Sequence, residues 1–186
     1  MRTTRAHDDE YMPTMVNALE LSDEQFDALL RLTTRYRRQA LKCLHAKAYL
    51  AGAVMVGAAL EAFLMALVFV RQEEAITWTR IPKRKGQIKP LLEWNLGNLL
   101  QAAEHAGWLP RMITDDEEFS HKKAAHGDYA KLLQLLRNLV HPARYLEDFA
   151  ELRMTKRRLD FLLKILGYLG EHLAGVAIRD AGPDEQ

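Results

Sequence analysis

The chain has 186 residues, of which 48% are hydrophobic, and a formal net charge of +1 at pH 7. This length suits one domain that buries its core without disulfides or a structural metal. The near-zero charge excludes a protein drawn to nucleic acid or lipid by its overall field, so any polyanion site must be local. A single cysteine, Cys43, and a polar opening over residues 1–10 predict a cytoplasmic protein.

Apolar residues recur at helical spacing through most of the chain, which predicts an all-α compact bundle of about five to six helices. Residues 1–20 are expected to form a polar arm, 21–179 one helical domain and 180–186 a polar tail. Ser22 with Gln25 three residues later predicts a capping box that opens a helix toward Leu44. No Gly or Pro separates it from the next helix, so the local sequence is compatible both with a turn between two helices and with one long continuous helix. Compactness favours a turn near His45.

The second helix, from about Ala46 to Gln72, contains the most apolar segment of the chain. Ala48 to Val70 carries one charge, Glu61, and is long enough to cross a bilayer. Its many small residues and its central carboxylate favour a buried core helix over a membrane span. A buried Glu61 must be paired or neutral, because an isolated carboxylate is costly away from water.

A polar connection is expected from Glu73 to Lys89, followed by a helix from Pro90 to Gly107. The connection holds a basic cluster flanked by Trp78 and Trp94, which predicts RNA contacts with aromatic stacking nearby. The predicted RNA contacts are Lys83, Arg84, Lys85 and, further along the chain, Arg144. A solvated loop without a ligand is the alternative for the cluster.

The last third of the chain predicts three more helices. Thr114 and Glu117 form a second capping-box pattern, and Gly127 is expected to interrupt or end the short helix that follows. The next helix is expected to begin near Asp128. The final helix, from about Thr155 to Ile178, carries an apolar seam for an antiparallel neighbour or a second subunit. The seam consists of Leu159, Leu162, Leu166, Leu169, Leu173 and Val176.

The segment Arg137, Asn138, Leu139, Val140, His141, Pro142 places a guanidinium, an amide and an imidazole at the end of an amphipathic run. Arg137 and His141 are four residues apart and share a helix face. Because a residue before proline leaves the helical region, the helix should stop near His141, beside unpaired terminal carbonyls. These three side chains are the candidate catalytic residues.

Together with Gly57, Leu60 and Glu61, and with Leu96, Gly97 and Leu99, this motif resembles bacterial HEPN-like proteins over about residues 40–145. The resemblance implies a dimerising helical bundle and a metal-independent endoribonuclease or RNA-binding protein of a defence or toxin-antitoxin system. His141 would then act as general base or acid, Arg137 would hold the phosphate and Asn138 would orient it. Three residues separate Arg137 from His141, one fewer than in the usual signature. Implied partners are RNA, a second copy of the chain and an antitoxin or other protein.

The competing interpretation is a non-catalytic homodimeric interaction module. Asn138 and His141 then cap the helix, and Arg137 pairs with a carboxylate, for which Glu61 is the candidate. A bond from Glu61 to Arg137 or Asn138 is expected in either case. No cofactor and no metal site is expected. Glu118 and His121 form one isolated pair, and Cys43 and His45 point to different helix faces.

Overall fold

The computed structural model describes residues 19–113, 120, 122–138 and 154–179. Within them the chain forms six α-helices, which confirms the predicted all-α bundle. The helices are α1 Asp23–His45, α2 Tyr49–Val70, α3 Gln72–Ala75, α4 Leu96–His105, α5 His126–Arg137 and α6 Lys156–Ala177. A 3-10 turn at Leu91–Glu93 and a hairpin, β1 Lys83–Arg84 with β2 Gln87–Ile88, complete the described elements.

A tight turn separates α1 from α2, so the two helices do not form one rod. The Ser22 and Gln25 capping box opens α1 as predicted. After His45 the chain reverses through Lys47, whose φ is 58°, and the Ala48 N–H donates to Cys43 O over 2.8 Å. Left-handed backbone favours glycine, so a lysine there left no sequence signal for the turn.

The apolar helix α2 is the centre of the bundle and contacts α1, α4, α5 and α6. It is long and apolar enough to cross a membrane, and 61% of its most apolar stretch is buried among the described residues. Its small residues allow close packing. A Cβ on Gly52 would collide with Leu159 of α6 and would lie 3.3 Å from Cys43 Cβ of α1. The carboxylate Glu61 is therefore part of a packed helix surrounded by protein on several faces.

The helices give the bundle two distinct ends. At the end that we call the lower end, α1 finishes while α2 and α6 begin, and these three helices meet at Gly52. At the opposite, upper end, Phe26 of α1 packs against Phe69 of α2 with ring centroids 5.4 Å apart. Arg71 there donates to Arg179 O beyond α6. Helix α5 runs antiparallel to α2 and finishes beside its middle, so its C-terminus points toward the lower end.

The connection expected to be a polar loop over 73–89 contains regular structure instead. It holds the short helix α3 and a hairpin in the register Lys83 to Ile88 and Arg84 to Gln87. Lys85 and Gly86 both have positive φ, the requirement of a tight two-residue hairpin turn. The expected single helix from Pro90 is also wrong at its start. The 3-10 turn comes first, and Asn95 then caps α4.

The expected break at Gly127 is also wrong, because this glycine lies in the first turn of α5. A Cβ there would collide with Leu109 O and would lie 2.6 Å from the Arg111 side chain, so the glycine serves close approach rather than helix termination. The Thr114 and Glu117 capping pattern lies outside the described residues.

Helix α6 follows its prediction within one residue at each end, with Thr155 as N-cap. All six seam residues are buried within this chain, at most 6% exposed. Leu19 is also fully buried, so the described core includes a residue two positions before the expected domain boundary.

Candidate functional site

Arg137 and Glu61 form an ion pair between α5 and α2. Arg137 Nη2 donates to Glu61 Oε2 over 2.7 Å, although the residues are 76 apart in sequence. The Glu61 side chain is 19% exposed and that of Arg137 is 30% exposed. The predicted pairing of Glu61 is thereby confirmed, and its partner is the arginine of the motif.

Gly57 creates the space that Arg137 occupies. It lies one helical turn before Glu61 on α2, and a Cβ there would come within 2.6 Å of Arg137 Cβ and 2.9 Å of Cγ. The alkyl stem of Arg137 therefore lies directly on the α2 backbone while its guanidinium meets Glu61. A glycine and a carboxylate four residues apart on α2 together fix the arginine from Cβ to the guanidinium.

Asn138 directly follows this fixed arginine and ends the helix. It is the C-cap of α5, with αR dihedral angles and a backbone N–H that donates back to the last turn. This helix end agrees with the prediction to within a few residues. His141 and Arg144 lie outside the described residues, so of the three predicted catalytic residues the structure describes Arg137 and Asn138, which are consecutive in the chain.

The paired arginine retains the chemistry needed to bind a phosphate. A guanidinium has five N–H donors in a planar fork. One of them donates to Glu61, and the side chain remains partly exposed. Because Glu61 holds it on a rigid helix, Arg137 loses little conformational entropy when it meets an anion. The same pair would also stabilise the interface between α2 and α5 without any ligand.

The basic hairpin differs from its prediction in one important respect. Lys83, Arg84 and Lys85 are exposed, but Trp78 and Trp94 are buried, at 6% and 3% exposure. Their rings pack edge to face in the core, 6.2 Å apart. The predicted aromatic stacking beside the basic cluster is therefore wrong. Arg84 also pairs with Glu93 over 3.3 Å, which offsets part of the cluster's charge.

A polar cleft of about 250 Å³ lies beside α5, and the sequence did not indicate it. Lys131 and Gln134 of α5 line it together with Arg80, Arg111 and one carboxylate, Glu104. The one sequence signal for the cleft is the helical spacing of Lys131 and Gln134, which are three residues apart and therefore lie on one face of α5. The other lining residues come from segments that are remote in sequence.

Asp128 holds the wall of this cleft in place. Its carboxylate is 3% exposed and accepts backbone N–H groups of Met112, Ile113 and Ala125 and the Arg111 side chain. Burial alone raises the pKa of Asp128, but these hydrogen bonds together outweigh it and hold the pKa below the usual value. From the sequence, Asp128 predicts only the start of a helix.

At the upper end, His126 stacks between two rings of α6. Its centroid is 3.6 Å from that of His172 and 4.5 Å from that of Tyr168. Burial, and secondly the charge of His172, lower the pKa of His126. His172 Nε2 also lies 2.7 Å from Trp108 O, and Trp108 Nε1 donates to Glu74.

In the part of the chain that the structure describes, no group of three or more metal-ligating side chains occurs. Glu118 and His121 lie outside that part. Cys43 is a half-buried free thiol whose Cβ faces Gly52, in the packing between α1 and α2.

Comparison of the chain with protein-family models, with curated proteins and with solved structures finds no match. The HEPN resemblance therefore stays a prediction.

Proposed function

We propose that this chain is a HEPN-like RNA-acting protein, a metal-independent endoribonuclease of a defence or toxin-antitoxin type system. Its site is the end of α5, formed by Arg137, Asn138 and the following His141. The observation that supports this proposal most is the arginine itself. Its guanidinium is bonded to Glu61 over 2.7 Å, its stem lies on Gly57, and 30% of the side chain remains exposed.

The chemistry requires a base, an acid and a cationic anchor. A ribose 2′-hydroxyl attacks the adjacent phosphorus, its proton passes to a base, and the 5′-oxygen leaves with a proton from an acid. The products are a 2′,3′-cyclic phosphate and a 5′-hydroxyl. Arg137 would neutralise the negative charge of the pentacoordinate transition state, and Asn138 would orient a phosphate oxygen. Each chain supplies one His141, so a two-fold dimer would supply both the acid and the base.

The second candidate is a non-catalytic homodimeric module, and the same ion pair favours it. A carboxylate already bonded to Arg137 gives the arginine a structural partner, and its charge offsets part of the attraction for phosphate. The two candidates differ in whether RNA is cut, so a cleavage assay separates them.

The test incubates end-labelled single-stranded RNA with the protein in excess chelator. Variants His141→Ala and Arg137→Ala are compared with His105→Ala, a matched control because His105 is an exposed histidine at the end of α4. We expect cleavage by the wild type and by the control, at least about 100-fold slower cleavage by His141→Ala, and cyclic-phosphate ends. Dimer formation is measured alongside by light scattering.

Two results contradict the ribonuclease proposal. The first is wild-type protein, dimeric and folded, that leaves RNA intact, which favours the interaction module. The second is cleavage that continues unchanged in His141→Ala, which assigns the activity to another site or to a contaminant.

A further inference from the structure

Charge is unevenly distributed in α1. Residues 28–45 contain five arginines and lysines and no acidic residue, although the whole chain has a net charge of only +1. Three of these cations, Arg35, Arg38 and Lys42, follow one another at three- and four-residue steps and therefore lie on one helix face. All three are exposed. The acidic residues of α1, Asp23 among them, are confined to its opposite end.

Helix α6 begins with cations where helices usually carry acids. Lys156, Arg157 and Arg158 occupy its first turn, which holds no acidic residue. The N-terminus of a helix carries a partial positive charge, so cations there are unfavourable for stability. Lys156 and Arg157 are exposed, and the nearest acidic residue on α6 is Asp160. Interaction with the helix dipole therefore does not explain these cations.

The fold brings these two groups of cations to the same end of the bundle. Cys43, next to Lys42 on α1, and Leu159, one turn after Lys156 on α6, both contact Gly52. The C-terminus of α1 and the N-terminus of α6 therefore meet at the lower end. Gly57, which contacts Arg137, lies five residues further along α2, about 7.5 Å along the helix axis and about 140° around it, so Arg137 packs on a different face of α2.

We infer that the exposed cations of α1 and α6 form a surface, reaching the lower end of the bundle, that binds the phosphodiester backbone of single-stranded RNA. We call it the basic end surface, and it consists of Arg35, Arg38, Lys42, Lys156 and Arg157. The inference rests on the proposed RNA function and adds where the strand lies. It also assigns the electrostatic affinity to these helices rather than to the hairpin that the sequence indicated.

Exposed cations on two helices are suited to binding the phosphate backbone of a nucleic acid rather than its bases. Phosphates repeat along a nucleic acid and are neutralised one by one, and the affinity falls with salt in proportion to their number. Arg and Lys on a helix surface contact phosphates without reading sequence. The basic end surface therefore supplies affinity, and Arg137 and its neighbours would act on the phosphate that reaches them.

The experiment measures binding separately from cleavage. A fluorescent 2′-O-methyl RNA is titrated in anisotropy at several salt concentrations, because it has no 2′-hydroxyl to attack. Wild type is compared with the fourfold variant Arg38→Gln, Lys42→Gln, Lys156→Gln, Arg157→Gln. The control variant removes the same charge elsewhere, at Lys83→Gln, Lys85→Gln, Lys122→Gln and Lys123→Gln, all of them exposed residues.

We expect the fourfold variant to bind at least about 30-fold more weakly, and the slope of log affinity against log salt to become shallower by about 3. The control should change affinity by less than about threefold. The melting temperature of the double variant Lys156→Gln, Arg157→Gln should stay level or rise, because the cations oppose the helix dipole. A purely structural role for these residues would lower it.

Three outcomes overturn the inference: wild type that does not bind the oligonucleotide, a fourfold variant that binds as tightly as wild type, or a control that loses as much affinity as the variant. The proposed ribonuclease function fails separately. If His141→Ala leaves cleavage unchanged while the fourfold variant still loses affinity, the surface stands and the catalytic assignment falls.

Discussion

The two ends of the bundle treat their polar groups in opposite ways. At the upper end, Trp108 links α3 to α6 through Glu74 and His172. Nearby, Asp128 accepts four hydrogen bonds. At the lower end, exposed cations such as Lys42 and Lys156 lie where two helices meet. A hydrogen-bonded network rigidifies a fold, whereas clustered exposed charge attracts a partner. We therefore expect the upper end to supply stability, and we propose that the lower end binds.

Removing Asp128 should be the most damaging single change. Asp128→Ala leaves three backbone N–H groups and the Nε–H of Arg111 without their acceptor, and we expect a loss of about 3 kcal/mol in the free energy of unfolding. Urea denaturation measures it. A loss below about 1 kcal/mol would show that the upper end does not depend on this carboxylate. RNA affinity, measured on the folded fraction, should not change.

Breaking the ion pair of Arg137 should cost less stability and more activity. Glu61→Ala leaves the guanidinium partly buried without its partner, and partial exposure limits the cost to about 1–2 kcal/mol. A double-mutant cycle with Arg137→Ala should give a coupling of about 1 kcal/mol between the two side chains. We also expect RNA cleavage to fall, since the arginine is no longer fixed. A coupling of zero would mean that the pair contributes nothing to the bundle.

Acid should weaken the upper end through His126. Its pKa is lowered in the folded protein, so the unfolded chain binds more protons once the pH falls below about 6.5. The stability that the neutral His126 ring contributes is fully present above that pH. It is lost as the pH falls through the lowered pKa of His126 in the folded protein. Urea denaturation at pH 7.5 and 5.5 should show a smaller loss for His126→Phe than for wild type. The exposed His105→Phe serves as control, and equal losses in all three proteins would refute the account.

The smallest effect is expected at the lower turn. Lys47 has φ of 58°, and glycine there removes the steric cost of the left-handed backbone. Lys47→Gly should raise the free energy of unfolding by about 0.5–1 kcal/mol, measured by thermal and urea denaturation. A destabilised variant would show that the lysine side chain contributes more than the backbone strain costs.

The features that the sequence predicted well are those with local causes. The Ser22 capping box and the leucine spacing of α6 each depend on neighbours within one or two helical turns, and both were found where expected. The charge of Glu61 in an apolar helix also predicted that it would be paired, with Arg137 or Asn138 as the expected partner. In each case the physical requirement is visible within a few residues.

The features that the sequence missed depend on contacts between remote segments. Lys47 and Lys85 adopt positive φ without being glycine, so the turn between α1 and α2 had no composition signal and the hairpin turn had only Gly86. Trp78 and Trp94 are buried against each other through tertiary packing, which their spacing in the sequence does not reveal. The cleft beside Lys131 and the meeting of α1 with α6 at the lower end arise in the same way, from elements far apart in the chain.

The most direct test of the account is hydrogen exchange of the wild-type protein with and without a 2′-O-methyl RNA. We expect the RNA to slow exchange in peptides from the end of α1, the end of α5 and the start of α6. Peptides around Trp108 and His172 should exchange at the same rate in both samples. Slowing confined to the upper end, or no change anywhere at saturating RNA, would contradict the assignment of RNA to the lower end.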